Sequence, residues 1–446
     1  MKLTYNVKDK PGFGKTLVFA FQQVLAILAA TIAVPSIIGN GMSQSAALFG
    51  AGIGTLVYLC FTKFKSPVFL GSSFAFIGSM FAAFGGAASA AAGYAGLILG
   101  AAFAGLVYVV IAIVVKFAGV KWINKLMPAS VIGPTVAIIG LSLAGNAVGD
   151  ALKYAEYDAA NSAYNMGLKG WLGLICALVT LFVVFFCSVY GKKMAKMIPF
   201  IIGIAAGYAV AAIFTVIGNA NGIEALQIID FSGFQNMQWV PDFTFVKAFN
   251  GLSEVTPSYI ATIAAAYVPV AFVVFAEHIA DHKNLSSIIE SDLLEEPGLH
   301  RTLLGDGIGS MAGAFFGGCP NTTYGESVGC VAISGNASVV TIFATAIMCL
   351  VASFFAPFTT FLATIPSCVM GGVCIALYGF IAVSGLKMVQ NVDLNDNKNL
   401  FTVSVILITG IGSMALQIGP VKLTTVACAL ILGIIVNLVL SCKKDD

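Results

Sequence analysis

Charge is what this sequence has least of. Only 9% of its 446 residues are Asp, Glu, Lys or Arg, against about a quarter in soluble domains. Arginine occurs once, at Arg301, and histidine three times, at His278, His282 and His300. That excludes an arginine-rich voltage-sensor helix. The ten cysteines include no Cys-x-x-Cys pair and lie in or beside apolar runs. A free thiol there behaves as a small hydrophobe, and with three histidines a structural zinc site has little to build on. No stretch has the GxxxxGK[ST] form, which argues against a built-in ATPase. No potassium-type carbonyl filter is present, and no nucleophile–base pair or metal set supports a membrane enzyme. Met1–Lys15 is polar and no small-residue cleavage site follows a short apolar core. The first apolar run is therefore expected to be retained as an anchor. The net charge is +2, and the lysines sit at the ends of apolar runs rather than in a basic patch. Nucleic acid is not an expected partner.

What fills the chain is apolar: 59% hydrophobic residues and a mean hydropathy of +0.96. Runs near the roughly 20-residue spanning length recur throughout. The expected fold is an all-α polytopic membrane protein of 14 spans. They read 17–36, 45–62, 67–84, 95–115, 128–148, 170–190, 197–218, 258–281, 302–317, 320–334, 338–362, 367–386, 400–417 and 421–441. Eighteen of the 22 basic residues fall in segments on the side of the N-terminus; only Lys153, Lys169, Lys247 and Lys422 fall on the other. Positive charge marks the cytoplasm, so both termini are expected there. The charged segment from Asp281 to Arg301 reads as a surface helix ended by Pro297-Gly298.

The spans divide into two halves of seven, 1–218 and 258–446, joined by an external segment, 219–257. An odd number of spans per half inverts the second half. The third span of each half is the irregular one: Pro67–Phe76, with Gly71-Ser72-Ser73, and Gly317–Glu326, with Gly318-Cys319-Pro320. Interrupted segments at matching places in inverted halves point to a transporter's midplane site. Periodicity does not separate a short strand from a broken helix at either place.

Two carboxylates stand out against this background. Glu277 ends the apolar run Tyr259–Ala276, and Glu326 lies inside Gly317–Ser334. An acidic group at the centre of a span costs about 2.5–3.5 kcal/mol on insertion scales, so its default reading is functional. Asp281 follows Glu277 by four and shares its helix face; the plainer reading is a residue at the membrane surface. His278 is turned about 100° away and reads as a packed, hydrogen-bonded histidine or as pocket support. Asp306 reads as a helix-end or packing residue before a ligand. Gly325 allows close approach to its backbone. Free backbone N–H groups at a broken span can donate to carbonyl oxygens. Two carboxyl groups facing two such N–H groups complement a small planar ring with alternating N–H and C=O. Burial of the carboxyl groups would link binding to proton uptake.

At these residues the chain resembles the nucleobase–ascorbate transporter family, and within it the uracil permease branch. The resemblance runs nearly the whole length. It rests on Leu70–Ile77, Ala276-Glu277-His278-Ile279, Pro297–Arg301 and, most specifically, Pro320-Asn321-Thr322-Thr323-Tyr324-Gly325-Glu326. It implies 14 spans in two inverted repeats, with short strands in spans 3 and 10. A core domain (spans 1–4 and 8–11) would face a gate domain (spans 5–7 and 12–14). It implies proton-coupled uracil uptake across the cytoplasmic (inner) membrane, without a cofactor beyond the coupling proton, and a homodimer. By position, Glu277 and Glu326 would hold the ring, the N–H groups of Phe74 and Gly325 its carbonyl oxygens, and Tyr324 would shape the pocket. Ser73 and His278 would support it, and Asp281 or Glu277 would serve proton coupling. The chain departs from the family pattern at three places. Asp281 stands where some relatives have His, Gln22-Gln23 where Gln-His is frequent, and Ser327 where Asn is usual. The nearest rival reading is a purine or xanthine carrier of the same fold. An anion carrier or channel fits poorly, because two carboxylates would repel an anion.

Overall fold

In hydrocarbon, an apolar run must satisfy its backbone internally, and helix is the simplest way to do so. The computed structural model describes residues 3–119, 122, 126–192, 194–419 and 421–441, and is largely helical. Lys2, Lys121, Lys125, Lys193, Lys443, Lys444 and Cys442, all counted above, lie outside the described residues, as does the side chain of Lys422.

The first half holds α1 (Phe13–Ile38), α2 (Gln44–Phe61), strand β1 (Leu70–Ser72), α3 (Ile77–Gly85) and α4 (Ala90–Ala118). Next come α5 (Ala129–Ser142), α6 (Ala144–Ala151), the hairpin β2 (Glu156–Asp158) and β3 (Ala163–Asn165), α7 (Leu168–Tyr190) and α8 (Pro199–Asn221). The connecting segment carries a short helix, α9 (Thr244–Phe249). The second half opens with α10 (Pro257–Ile289), α11 (Leu299–Gly317), strand β4 (Asn321–Thr323) and α12 (Gly325–Ser334). It continues with α13 (Val339–Ser353), α14 (Ala356–Ala363), α15 (Ser367–Val389) and α16 (Asn397–Ile411). The hairpin β5 (Leu416–Ile418) and β6 (Val421–Leu423) leads into α17 (Thr425–Ser441). Among the described residues, eight helices are long and apolar enough to cross a membrane, or nine if α13 and α14, bent by 82°, form one span.

Two expectations are corrected. The Asp281–Arg301 segment does not form a separate surface helix. Instead α10 runs unbroken through Asp281 to Ile289, because Leu285 and Ile289 continue its inward face, and both are buried. Pro297-Gly298 closes only the short π-helical turn Leu294–Gly298, and Gly298, at φ +96°, leads the chain into α11. The 400–417 run is helical only to Ile411. Gly412 and Ser413, the latter at φ +55°, turn it into β5.

The helices pack in two groups. One contains α1, α2, α4, α10, α11 and α13; the other contains α5, α7, α8, α15, α16 and α17. In the first group α2 and α11 touch backbone to backbone. A side-chain carbon on Gly50 would overlap the Gly313 carbonyl, which is the small-residue contact of tightly packed membrane helices.

Both irregular segments resolve into the same form, a three-residue strand followed by a short helix. The strands pair antiparallel: Leu70 with Thr323, Gly71 with Thr322, Ser72 with Asn321. The Ser73 N–H donates to the Pro320 carbonyl (2.9 Å) and the Tyr324 N–H to the Phe69 carbonyl (3.2 Å). Each strand thus satisfies the other's backbone deep in the protein, where no water would do so.

Candidate functional site

Helix α10 carries Glu277 and Asp281 one turn apart, and both face a cavity of about 380 Å³. The opposite face of α10 is buried. His278 is fully buried there, its Nδ1 2.7 Å from Asp306 Oδ2 and its Nε2 3.0 Å from Thr302 Oγ1. His282 stacks on it at 4.0 Å, with Nδ1 2.8 Å from the His278 carbonyl and Nε2 2.7 Å from the Tyr58 hydroxyl. His278 therefore does not reach the cavity. It fastens α10 to α11 from behind, and Asp306 is its packing partner. Buried polar groups need partners, and these place the histidines on the far side of the helix from Glu277.

The paired strands bring the second carboxylate to the same cavity. Strand β4 ends at Thr323, and α12 begins at Gly325, so Glu326 sits in its first turn. Strand β1 ends at Ser72, and a single turn of 3-10 helix begins at Phe74. The N–H groups at the start of a helix have no acceptor within it. Because the strands are antiparallel, the two helix starts enter the ribbon from opposite directions. Phe74, Gly325, Glu326 and Tyr324 line the cavity with Glu277 and Asp281. The Thr323 hydroxyl donates to Asp281 Oδ2 at 2.8 Å and so ties β4 to α10. Tyr324 is held by its hydroxyl, which donates to the Ser72 carbonyl at 2.9 Å, while its ring lies over Gly71. Ser73 is buried one residue before the lining, with its N–H on Pro320.

The facing wall comes from the other helix group. Val136 and Ile139 of α5, Phe200 of α8, and Leu377, Phe380 and Ile381 of α15 supply an apolar surface. Phe74 meets Tyr378 edge-on across this gap, with ring centroids 5.9 Å apart. Sequence reading missed this wall, since one apolar residue in a span looks like another. It also missed Thr323, whose only signal is its place beside Glu326 in the Thr-Thr-Tyr-Gly-Glu run. A second cavity, about 610 Å³, lies toward the other end of α10 beside Ser258, Tyr259 and Thr262. Thr262 and Glu277 are about 22 Å apart along the helix. Among the described residues no charged side chain lines this second cavity, and no group of three or more His, Cys, Asp or Glu could hold a metal ion.

The arrangement presents hydrogen-bond acceptors at two carboxylates, donors at two helix starts, and an apolar lid. Its volume suits a small molecule. A family model described as "Permease family" matches residues 14–419. The chain is 36% identical over 449 residues to the uracil permease of Bacillus subtilis (strain 168), covering 100% of this chain and 97% of that one. It is 37% identical over 444 residues to the uracil permease of Bacillus caldolyticus, covering 98% and 95%. It is 33% identical over 437 residues to the uracil permease of Escherichia coli (strain K12), covering 97% and 93%. Among solved structures it resembles the transmembrane domain of a cyanobacterium bicarbonate transporter, BicA, with a TM-score of 0.66 at 17% identity, covering 97% of this chain and 99% of that one. It also resembles the murine anion transporter Slc26a9, with a TM-score of 0.66 at 13% identity, covering 97% and 69%. These two likenesses are of fold alone.

Proposed function

This chain belongs to the nucleobase–ascorbate transporter family of permeases, and from that footing we propose that it imports uracil with protons across the cytoplasmic membrane by alternating access. It is a multi-pass membrane transporter, not an enzyme, as its curated relatives are. The observation that carries the substrate reading is the meeting of Glu277 and Glu326 with two helix starts in one cavity.

A neutral pyrimidine suits that set. Ring N–H groups would donate to Glu277 and Glu326, and ring carbonyl oxygens would accept from the N–H groups of Phe74 and Gly325. Tyr324 would bound the ring, and the apolar wall of α5, α8 and α15 would cover its face. The two proteins of similar fold are a bicarbonate transporter and an anion transporter. The two carboxylates of this cavity favour a neutral cargo over an anion, since like charges at close range repel.

The helix group containing the two strands would be the core and the other the gate, in 14 spans of two inverted repeats with both termini cytoplasmic. The antiparallel pairing of β1 and β4 supports such a two-fold relation. Rocking of core against gate would open the carboxylate cavity to one side, then the other. Protonation of Asp281 or Glu277 would bias that equilibrium by its differential affinity for the two states. The test is uptake of radiolabelled uracil with and without a pH gradient. Accumulation driven by the gradient, abolished by a proton uncoupler and not displaced by xanthine, is the expected result. Displacement by xanthine would favour a purine-type carrier, and uptake indifferent to the uncoupler would overturn proton coupling.

A further inference from the structure

Gly325 and Glu326 are bracketed by two hydrogen bonds to a single residue. Phe69, just before β1, accepts from the Tyr324 N–H on one side of them (3.2 Å). On the other side its own N–H donates to the Ser327 hydroxyl oxygen (3.1 Å). The spacing between strand β1 and the first turn of α12 is therefore set at residues 324 and 327. A third element reaches the same point. Gln23 of α1 directs its side-chain N–H₂ at Ser327, 3.3 Å from both its hydroxyl oxygen and its carbonyl oxygen. Gln23 and Ser327 are buried, at 3% and 0% exposure. Neither lines the cavity. Gln23 Oε1 has no partner among the described residues, so its amide group is committed to Ser327 alone.

We propose that Gln23 and Ser327 act as one positioning unit. Together they lock α1, β1 and α12, and thereby fix Gly325 and Glu326 at the distance from Phe74 that the substrate requires. The inference rests on the reading of the cavity as the uracil site. Removing the Ser327 hydroxyl leaves the Phe69 N–H buried without an acceptor, which is costlier than losing a bond exposed to water. The turn then relaxes, and the two ligand contacts of α12 move with it. Because Gln23 acts through Ser327, removing both should cost little more than removing Ser327 alone, as expected for groups in one network.

The experiment is labelled uracil uptake and direct uracil binding by the full-length protein in liposomes. It compares wild type, Ser327→Ala, Gln23→Leu and the double variant, each checked for its thermal midpoint. We expect KM and Kd to rise about tenfold in Ser327→Ala and about threefold in Gln23→Leu, with kcat within twofold of wild type. The double variant should match Ser327→Ala within twofold. Unchanged KM in the single variants, or effects that simply multiply in the double, would overturn the inference. Should Ser327→Ala fail to fold, Gln23→Leu decides alone, and an unchanged KM there overturns it. A wild-type protein that takes up no uracil would instead sink the functional reading.

Discussion

Gly71 lies directly under the ring of Tyr324, and Gly71→Ala shows how little room the cavity floor has. A methyl group at Gly71 would overlap the ring edge carbons of Tyr324 and approach its hydroxyl to 2.8 Å. The ring has no easy retreat. Its hydroxyl is held by the Ser72 carbonyl at 2.9 Å and its backbone N–H by the Phe69 carbonyl at 3.2 Å. Forcing a methyl into such packing costs about 1–3 kcal/mol. If the ring swings away, the Tyr324–Ser72 bond is lost as well, at about 1 kcal/mol. A ring that swings into the cavity that Tyr324 lines would take the substrate's place. About 2 kcal/mol, charged against binding, is roughly thirtyfold in affinity. The assay is the KM of labelled uracil uptake together with the Kd of uracil for the purified protein. Gly329→Ala is the control, since a methyl there meets nothing within 4 Å, and it should leave both values unchanged. Wild-type KM and Kd in Gly71→Ala would refute the packing argument.

Three other outcomes follow from the same geometry. The adjacent residues 277 and 278 should behave oppositely: His278→Leu strips Asp306 Oδ2 of its partner and should lower stability by about 1–3 kcal/mol, whereas Glu277→Gln should keep the thermal midpoint and lose uptake. Thr323→Val removes the donor to Asp281; a hydrogen bond to a charged group is worth about 1.5–3 kcal/mol, so uptake should fall at least tenfold, and normal rates would exclude Asp281 from the cycle. Outside the membrane, Lys65 hydrogen-bonds the Glu296 carboxylate and holds it below the ordinary carboxylate range. A depressed carboxylate stabilises the fold above its unfolded value, near pH 4.3, and loses that contribution as pH falls through its folded value. Glu296→Gln should thus lower the thermal midpoint slightly at pH 7, screened as the pair is by solvent, and by progressively less as pH falls through the folded value.

The sequence made the two cavity carboxylates, Glu277 and Glu326, legible because charge in an apolar run is rare enough to stand out. It also marked the two broken spans, since Gly71 and Pro320 interrupt otherwise helical runs. It could not show that the two breaks pair with each other, because register across some 250 residues is a property of the packed state. His278 was ambiguous for a similar reason. A rotation of 100° separates the cavity face of α10 from its buried face, but nothing local says which neighbour waits there. Asp306, 28 residues on, supplies the answer. The apolar wall of Val136, Phe200 and Phe380 was invisible, since hydrocarbon lipid and a hydrocarbon-lined cavity demand the same residues. The full length of α10 was not legible because the charges after Asp281 read as a separate surface helix, while Leu285 and Ile289 keep the helix's inward stripe.

Central to the proposed function is that Glu277 and Glu326 hold one neutral heterocycle between them. Labelled uracil uptake by Glu277→Gln and Glu326→Gln, each confirmed to be folded and inserted, addresses it most directly. We expect each substitution to reduce uptake at least tenfold, in line with losing a hydrogen bond to a charged group. Wild-type uptake by both variants would contradict it.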